Sequence, residues 1–229
     1  MLNLYRKIGI WGDSIFKGVV FDEVKGAYKL LAAGAIESAA RILNIPVLNK
    51  SRFGNTIGRG KGQLERALKD GLDCDLVMLE YGGNDCDLDW AAISEDPSLD
   101  HQPKTPLSLF KETFYQMIVL LRQYGIEPVL ASLPPLHSQR YFDFIVSRGL
   151  NSDNIMSFLG DVEKIYRHQE AYSLAVTTLA ATEKCLYAPV REAFLDVRNF
   201  PAYICADGIH PNEKGHLLMQ NVLTGMVPT

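Results

Sequence analysis

Three shortages narrow the possibilities for this chain before any motif is read. Cysteine is scarce: four in 229 residues (Cys74, Cys86, Cys185 and Cys205), with no C-x-x-C pair among them. Such spacing speaks against a disulfide framework or a zinc ribbon and for free thiols in a reducing compartment. Positive charge is not in excess. Lys and Arg number 23 against 27 Asp and Glu, for a net charge of −4 without a long basic run. That argues against nucleic acid or an anionic membrane surface as the main partner. Long apolar runs are missing too, since nothing approaches the ~18 residues of a membrane span. The residues from Met1 to Lys7 lead into a strand without the apolar core of a signal peptide. The expected location is cytoplasmic, with no membrane partner.

What is present suits an ordinary globular core. Hydrophobic residues make up 47% and charged residues 22% of a chain whose length fits one domain over 1–229. Apolar periodicity alternates between short and long segments. It predicts strands at 7–11, 47–49, 75–81, 127–133 and 193–197. It predicts helices at 26–43, 58–72, 107–124, 151–184 (broken once near Gln169) and 212–226. Such alternation implies right-handed crossovers and a mainly parallel sheet. The expected fold class is α/β: three layers around a flavodoxin-like, doubly wound sheet of about five parallel strands. Two stretches interrupt the rhythm, a long loop at 86–104 and an aromatic and helical insertion at 134–185. Loops of that length are often functional.

In an open parallel sheet, ligands bind beyond the carboxyl ends of the strands. Four polar stretches fall on that rim by topology. Gly12-Asp13-Ser14 follows the first strand, Ser51 to Thr56 (with Gly54) the second, and Gly82-Gly83-Asn84-Asp85 the third. Asp207-Gly208-Ile209-His210 follows the fifth by way of a loop. Each is a good turn sequence by itself. Their convergence is what points to chemistry.

Acyl transfer needs a nucleophilic hydroxyl, a base to take its proton, and donors aimed at the developing oxyanion. Ser14, His210 and the Asn84 amide suit those roles. A three-residue offset can bring Asp207 within hydrogen-bond reach of the His210 imidazole across one turn, which would fix its tautomer. Gly54 would let a backbone N–H approach a substrate closely. Candidate substrate contacts are Asp13, Asp85, Trp90 and His137, with loop anchoring as the alternative for Asp85. Trp90 sits in the long loop beyond Asn84, and His137 opens the aromatic segment after Pro134-Pro135.

Other chemistry finds less support. The glycine-rich stretch at 58–62 precedes a helix and could cradle phosphate, but it is neither a P-loop nor a dinucleotide fingerprint. No G-x-S-x-G elbow and no H-E-x-x-H occurs, so no metal or other cofactor is expected. His101, His168 and His216 are isolated, and His216 reads as a helix-face residue.

Taken together, the four blocks resemble the GDSL, or SGNH, hydrolase family, whose Ser, Gly, Asn and His lie in separate segments. Here they stand in family order as Ser14, Gly54, Asn84 and His210, spread over nearly the whole chain. The resemblance implies a cofactor-free serine esterase with a three-layer α/β fold. It also implies a Ser14–His210–Asp207 triad and an oxyanion hole formed by the Ser14 N–H, the Gly54 N–H and the Asn84 side chain. The expected partner is a small-molecule ester, either an acetylated carbohydrate or a short-chain acyl ester. The alternatives are thioesterase or lysophospholipase activity, or a non-catalytic binding module of the same fold.

Overall fold

The computed structural model describes residues 6–226. The reading of a missing signal peptide rests partly on residues 1–5, outside those described. The chain runs β1 (Ile8–Gly12), α1 (Ser14–Lys17), β2 (Val19–Asp22), β3 (Ala27–Leu30), α2 (Ala35–Leu43) and β4 (Val47–Asn49). It continues through α3 (Ile57–Lys69), β5 (Leu76–Glu80), α4 (Trp90–Glu95), α5 (Leu107–Gln123) and β6 (Glu127–Ala131). The remainder is α6 (Ser138–Val146), α7 (Ser152–Leu159), α8 (Lys164–Thr182), β7 (Leu186–Ala188), α9 (Val190–Asp196), a 3-10 turn (Phe200–Tyr203) and α10 (Glu213–Gly225).

Five strands form one parallel sheet in the order β4-β1-β5-β6-β7. The chain steps from β1 to β4 on one side and then to β5 on the other. The crevice between β1 and β5 is therefore the switch point where α/β proteins bind ligands. Register puts Gly12 opposite Glu80, so the segments leaving these two strands emerge level with each other.

Side chains alternate across the sheet. Val77 and Leu79 point into a core with Leu64 of α3, Phe110 and Phe114 of α5, and Val176 of α8. Leu76 and Met78 join Ile8, Ile10, Ala39 of α2, Phe194 of α9 and Met219 of α10 on the opposite face. Burying each such side chain contributes roughly 1.5–3 kcal/mol, so the three layers are held mainly by these two clusters. A third cluster lies apart from both. Ile93, Leu136, Ile145, Ile155, Leu159 and Ile165 pack α4, α6, α7 and the start of α8 into a cap. Among the described residues, no helix is long and apolar enough to cross a membrane.

Three expectations need correction. The segment 26–43 is only half helical: β2 and β3 form an antiparallel hairpin, and helix begins at Ala35. Gly26, at φ 60°, and the Asp22 carboxylate, which accepts the Val24 and Lys25 N–H groups, build its turn. The spacing of Tyr28, Leu31 and Ala32 imitates a helix because a four-residue strand is too short to display a period of two. The fifth strand is Leu186–Ala188, and 193–197 falls mostly in α9. Pro189 cannot continue a ladder, and Val190, Arg191 and Phe194 are buried at helical spacing. The break in the long helix comes at Gly160, with φ 75°, and Gln169 lies inside α8, where its amide donates to Pro134 O at 2.8 Å.

The glycine-rich stretch at 58–62 is the first turns of α3. A Cβ on Gly60 would run into the Tyr81 ring, so that glycine serves close packing of helix on sheet.

Candidate active site

The turn after β1 is tight because Asp13 caps α1: its Oδ1 accepts the Ile15 N–H at 2.8 Å. Ser14 is the first residue of that single turn of helix, which Gly18 ends in the left-handed region at φ 83°. The Ser14 Oγ stands 2.9 Å from His210 Nε2.

His210 arrives from the far end of the chain on a turn fixed from several sides. Asp207 Oδ1 accepts the Ile209 and His210 N–H groups at 3.1 Å each, and Asp207 Oδ2 lies 2.6 Å from His210 Nδ1. The Cys205 N–H donates to His210 O, and the His137 N–H donates to Gly208 O, both at 2.8 Å. Asp207 is wholly buried and His210 is 4% exposed. On its open side the imidazole meets two rings: Tyr28 at 5.1 Å and Phe53, parallel to it, at 6.4 Å.

Asn84 follows β5 and turns its Nδ2 onto Asp13 Oδ2 at 3.0 Å. One amide hydrogen is thus committed and the other left for the cavity. Gly54 stands at φ 67° with open space where a Cβ would be. Among the described residues, neither the Ser14 N–H nor the Gly54 N–H has a protein acceptor.

Carboxyl groups crowd beneath the rim. Glu80, at the end of β5, is wholly buried, and its Oε2 lies 3.4 Å from the Asp13 N–H. Desolvation and then the charge of Asp13 raise its pKa well above the ordinary glutamate value. Burial raises Asp13 too, opposed by the Ile15 N–H bond and by His210. Asp85 is pushed up to about 6 by burial. Tyr28 is pushed up to about 12, first by desolvation and then by the Asp207 charge.

A cavity of about 700 Å³ opens over these groups and is lined by Ser14, Gly54, Asn84 and His210. Trp90 lies in its wall, and Asp13 in its floor with both carboxylate oxygens engaged. Asp85 and His137 do not line the cavity, and Asp85 takes its loop-anchoring reading. Asp85 accepts the Ile57 N–H at 3.0 Å and the Thr105 hydroxyl at 2.7 Å, tying the rim loop to α3. His137 caps α6, accepting the Arg140 N–H on Nδ1, and stacks on Phe200. Sequence reasoning missed Tyr28 and Phe53 beside His210. The alternation of Val19 and Phe21 before an Asp-Glu-Val-Lys-Gly turn was the available signal for the hairpin that delivers Tyr28. His168 lies in the cavity wall and bonds Cys86 O at 3.0 Å, while His216 lies outside it and accepts the Ala35 N–H at 3.3 Å.

The fold and the family relationships define an ester-bond hydrolase built on a three-layer parallel α/β sheet. The chain belongs to the GDSL-like lipase/acylhydrolase family, whose model matches residues 10–218. Solved structures agree on the architecture. A lipase/acylhydrolase from Enterococcus faecalis superposes with a TM-score of 0.67 at 19% identity, covering 96% of this chain and 94% of its own. An alpha/beta hydrolase, LAE5, from the metagenome of Lake Arreo, Spain, gives 0.67 at 19% identity, covering 98% and 97%. A catalytic mutant of an acetylxylan esterase from Geobacillus stearothermophilus gives 0.62 at 18%, covering 95% and 91%. No curated protein sequence is significantly similar to the chain.

Proposed function

We propose that the protein cleaves carboxylic esters by a Ser14–His210–Asp207 triad through an acyl-enzyme. The observation that carries this reading is the buried relay of 2.9 Å from Ser14 Oγ to His210 Nε2 and 2.6 Å from His210 Nδ1 to Asp207 Oδ2. With Asp207 ionised, the ring proton sits on Nδ1 and leaves Nε2 free to accept the serine proton. Ser14 Oγ attacks the ester carbonyl carbon as His210 takes its proton. The oxyanion is met by the Ser14 N–H, the Gly54 N–H and the free Asn84 amide hydrogen. Collapse breaks the bond to the alcohol oxygen, which leaves with the proton from His210. Water then attacks the acyl-serine, gives its proton to His210, and the carboxylic acid departs as Ser14 regains the proton.

The test is turnover of p-nitrophenyl acetate together with labelling by a fluorophosphonate. Ser14→Ala is expected to lose on the order of 10⁶ in kcat and all labelling, with its circular dichroism spectrum unchanged. A variant that keeps its rate, or a wild type that turns over no ester, would sink the assignment.

A further inference from the structure

The cavity has two sides, and the proposed reaction tells them apart. His210 must hand its proton to the leaving alcohol oxygen, so the alcohol departs along the face where Tyr28 and the exposed Phe53 flank the imidazole. The side beyond Asn84 is left for the acyl group. There the cap closes over the rim, and Leu88, Trp90, Ile145, Leu150, Leu159 and Ile165 line the space.

Most polar atoms of that wall already have partners, the Lys164 ammonium at the start of α8 being an exception. The Trp90 indole N–H is shared between Asp87 Oδ1 at 2.9 Å and Tyr141 Oη at 3.0 Å. The Tyr141 hydroxyl donates to Asp87 Oδ1 at 2.7 Å, and Lys104 holds the other Asp87 oxygen at 2.7 Å. The Gln169 amide donates to Pro134 O and accepts from Arg191, and His168 is bonded to Cys86 O. The wall therefore offers ring faces and branched aliphatic side chains, with few free partners for sugar hydroxyls.

We propose that the compartment under the α4–α6–α7–α8 cap is an acyl-chain pocket that selects octanoyl-length groups over acetyl. The proposal rests on the esterase reading above. Counting each carbon as about the volume of one water, eight carbons need roughly 240 Å³, well inside a cavity of about 700 Å³. An acetyl group would leave most of that apolar wall in contact with water. Each methylene moved out of water is worth up to about fourfold in kcat/KM.

The experiment compares kcat/KM for p-nitrophenyl acetate, butyrate and octanoate below their aggregation limits, so that the leaving group stays constant. Octanoate is expected to exceed acetate by at least about tenfold, far below the ceiling for six added methylenes. Leu88→Trp fills the compartment and should lower the octanoate-to-acetate ratio at least tenfold, and Leu150→Trp does the same should Leu88→Trp fail to fold. A wild type that cleaves acetate as well as octanoate overturns the pocket and leaves the esterase reading standing. A wild-type octanoate preference that neither tryptophan disturbs also overturns it, because the chain then lies elsewhere. Failure to cleave any ester, with no fluorophosphonate labelling, removes the esterase reading and the pocket with it.

Discussion

The Asn84 amide donates to the Asp13 carboxylate at 3.0 Å, so the residue preceding Ser14 orients a side chain that arrives on a different strand. The same carboxylate caps α1 through Ile15. The turn that carries Ser14 and the orientation of Asn84 are thus coupled through one buried acid. Asn84→Ala should lower kcat by two to three orders of magnitude with little change in KM, since an oxyanion donor acts in the transition state. Asp13→Ala should lose about 1 kcal/mol of stability as a cap and part of the same kcat. The double variant tests the coupling: its kcat loss should fall well short of the product of the two single losses. Full multiplicativity would show that Asp13 does not act through Asn84.

Much of this arrangement was legible in the sequence, for reasons that differ by element. The buried parallel strand β5 announced itself because a strand covered on both faces must be continuously apolar. Three rim blocks could be placed because the strands before them, β1, β4 and β5, were legible. Asp207–His210, in contrast, follows α9 and the 3-10 turn rather than a strand at 193–197. Tyr28 was not legible, because a four-residue hairpin strand has too few residues to show a period of two against helical spacing. Strand β7 was hidden for a related reason: three residues after the left-handed Lys184 carry almost no periodic signal. His137 was drawn toward the site by sequence adjacency, whereas its ring caps α6, and Asp85 anchors the loop as one of its two readings had it. Hydrogen-bond direction is a tertiary fact that spacing does not encode.

Glu80 gives a pH signature with a fixed sign. Its carboxyl is held neutral in the fold by desolvation and by Asp13, while in the unfolded chain it ionises near the ordinary glutamate value. Its contribution to stability is therefore fully present below that ordinary value and is lost as pH rises toward the folded pKa. Glu80→Gln keeps the shape without the charge. The variant should gain on wild type in urea unfolding as pH rises above the ordinary glutamate value. A constant difference above that value would mean that Glu80 is not desolvated as described.

His216 behaves in the opposite direction. Burial on α10 lowers its pKa to about 4, and its Nδ1 accepts the Ala35 N–H. For a base with a depressed folded pKa, stability is complete above the unfolded value near 6.5 and declines as pH falls toward 4. Between pH 7 and pH 5 the loss from this residue is about 2 kcal/mol. His216→Asn retains an acceptor and does not titrate, so its unfolding free energy should fall by about 2 kcal/mol less over the same interval. Equal falls in both proteins would contradict the account.

Gly208 sets how closely the His210 turn can approach α6. It holds φ 76°, and a Cβ there would run into the Tyr141 backbone nitrogen and come within 2.8 Å of the His137 carbonyl oxygen. Its own carbonyl accepts the His137 N–H, so the turn has no room to retreat without breaking that bond. Gly160, at φ 75°, has nothing within 4 Å of its Cβ position. The pair separates backbone strain from steric displacement. Gly160→Ala should lose only the positive-φ backbone penalty of about 1–3 kcal/mol and keep its kcat. Gly208→Ala carries that penalty plus the collision, which moves the Asp207–His210 turn relative to Ser14. A misplacement of about 1 Å is enough for a hundredfold drop in rate. Thermal unfolding and ester turnover measured on both variants decide the matter: equal rates would mean that the turn does not depend on its contact with α6.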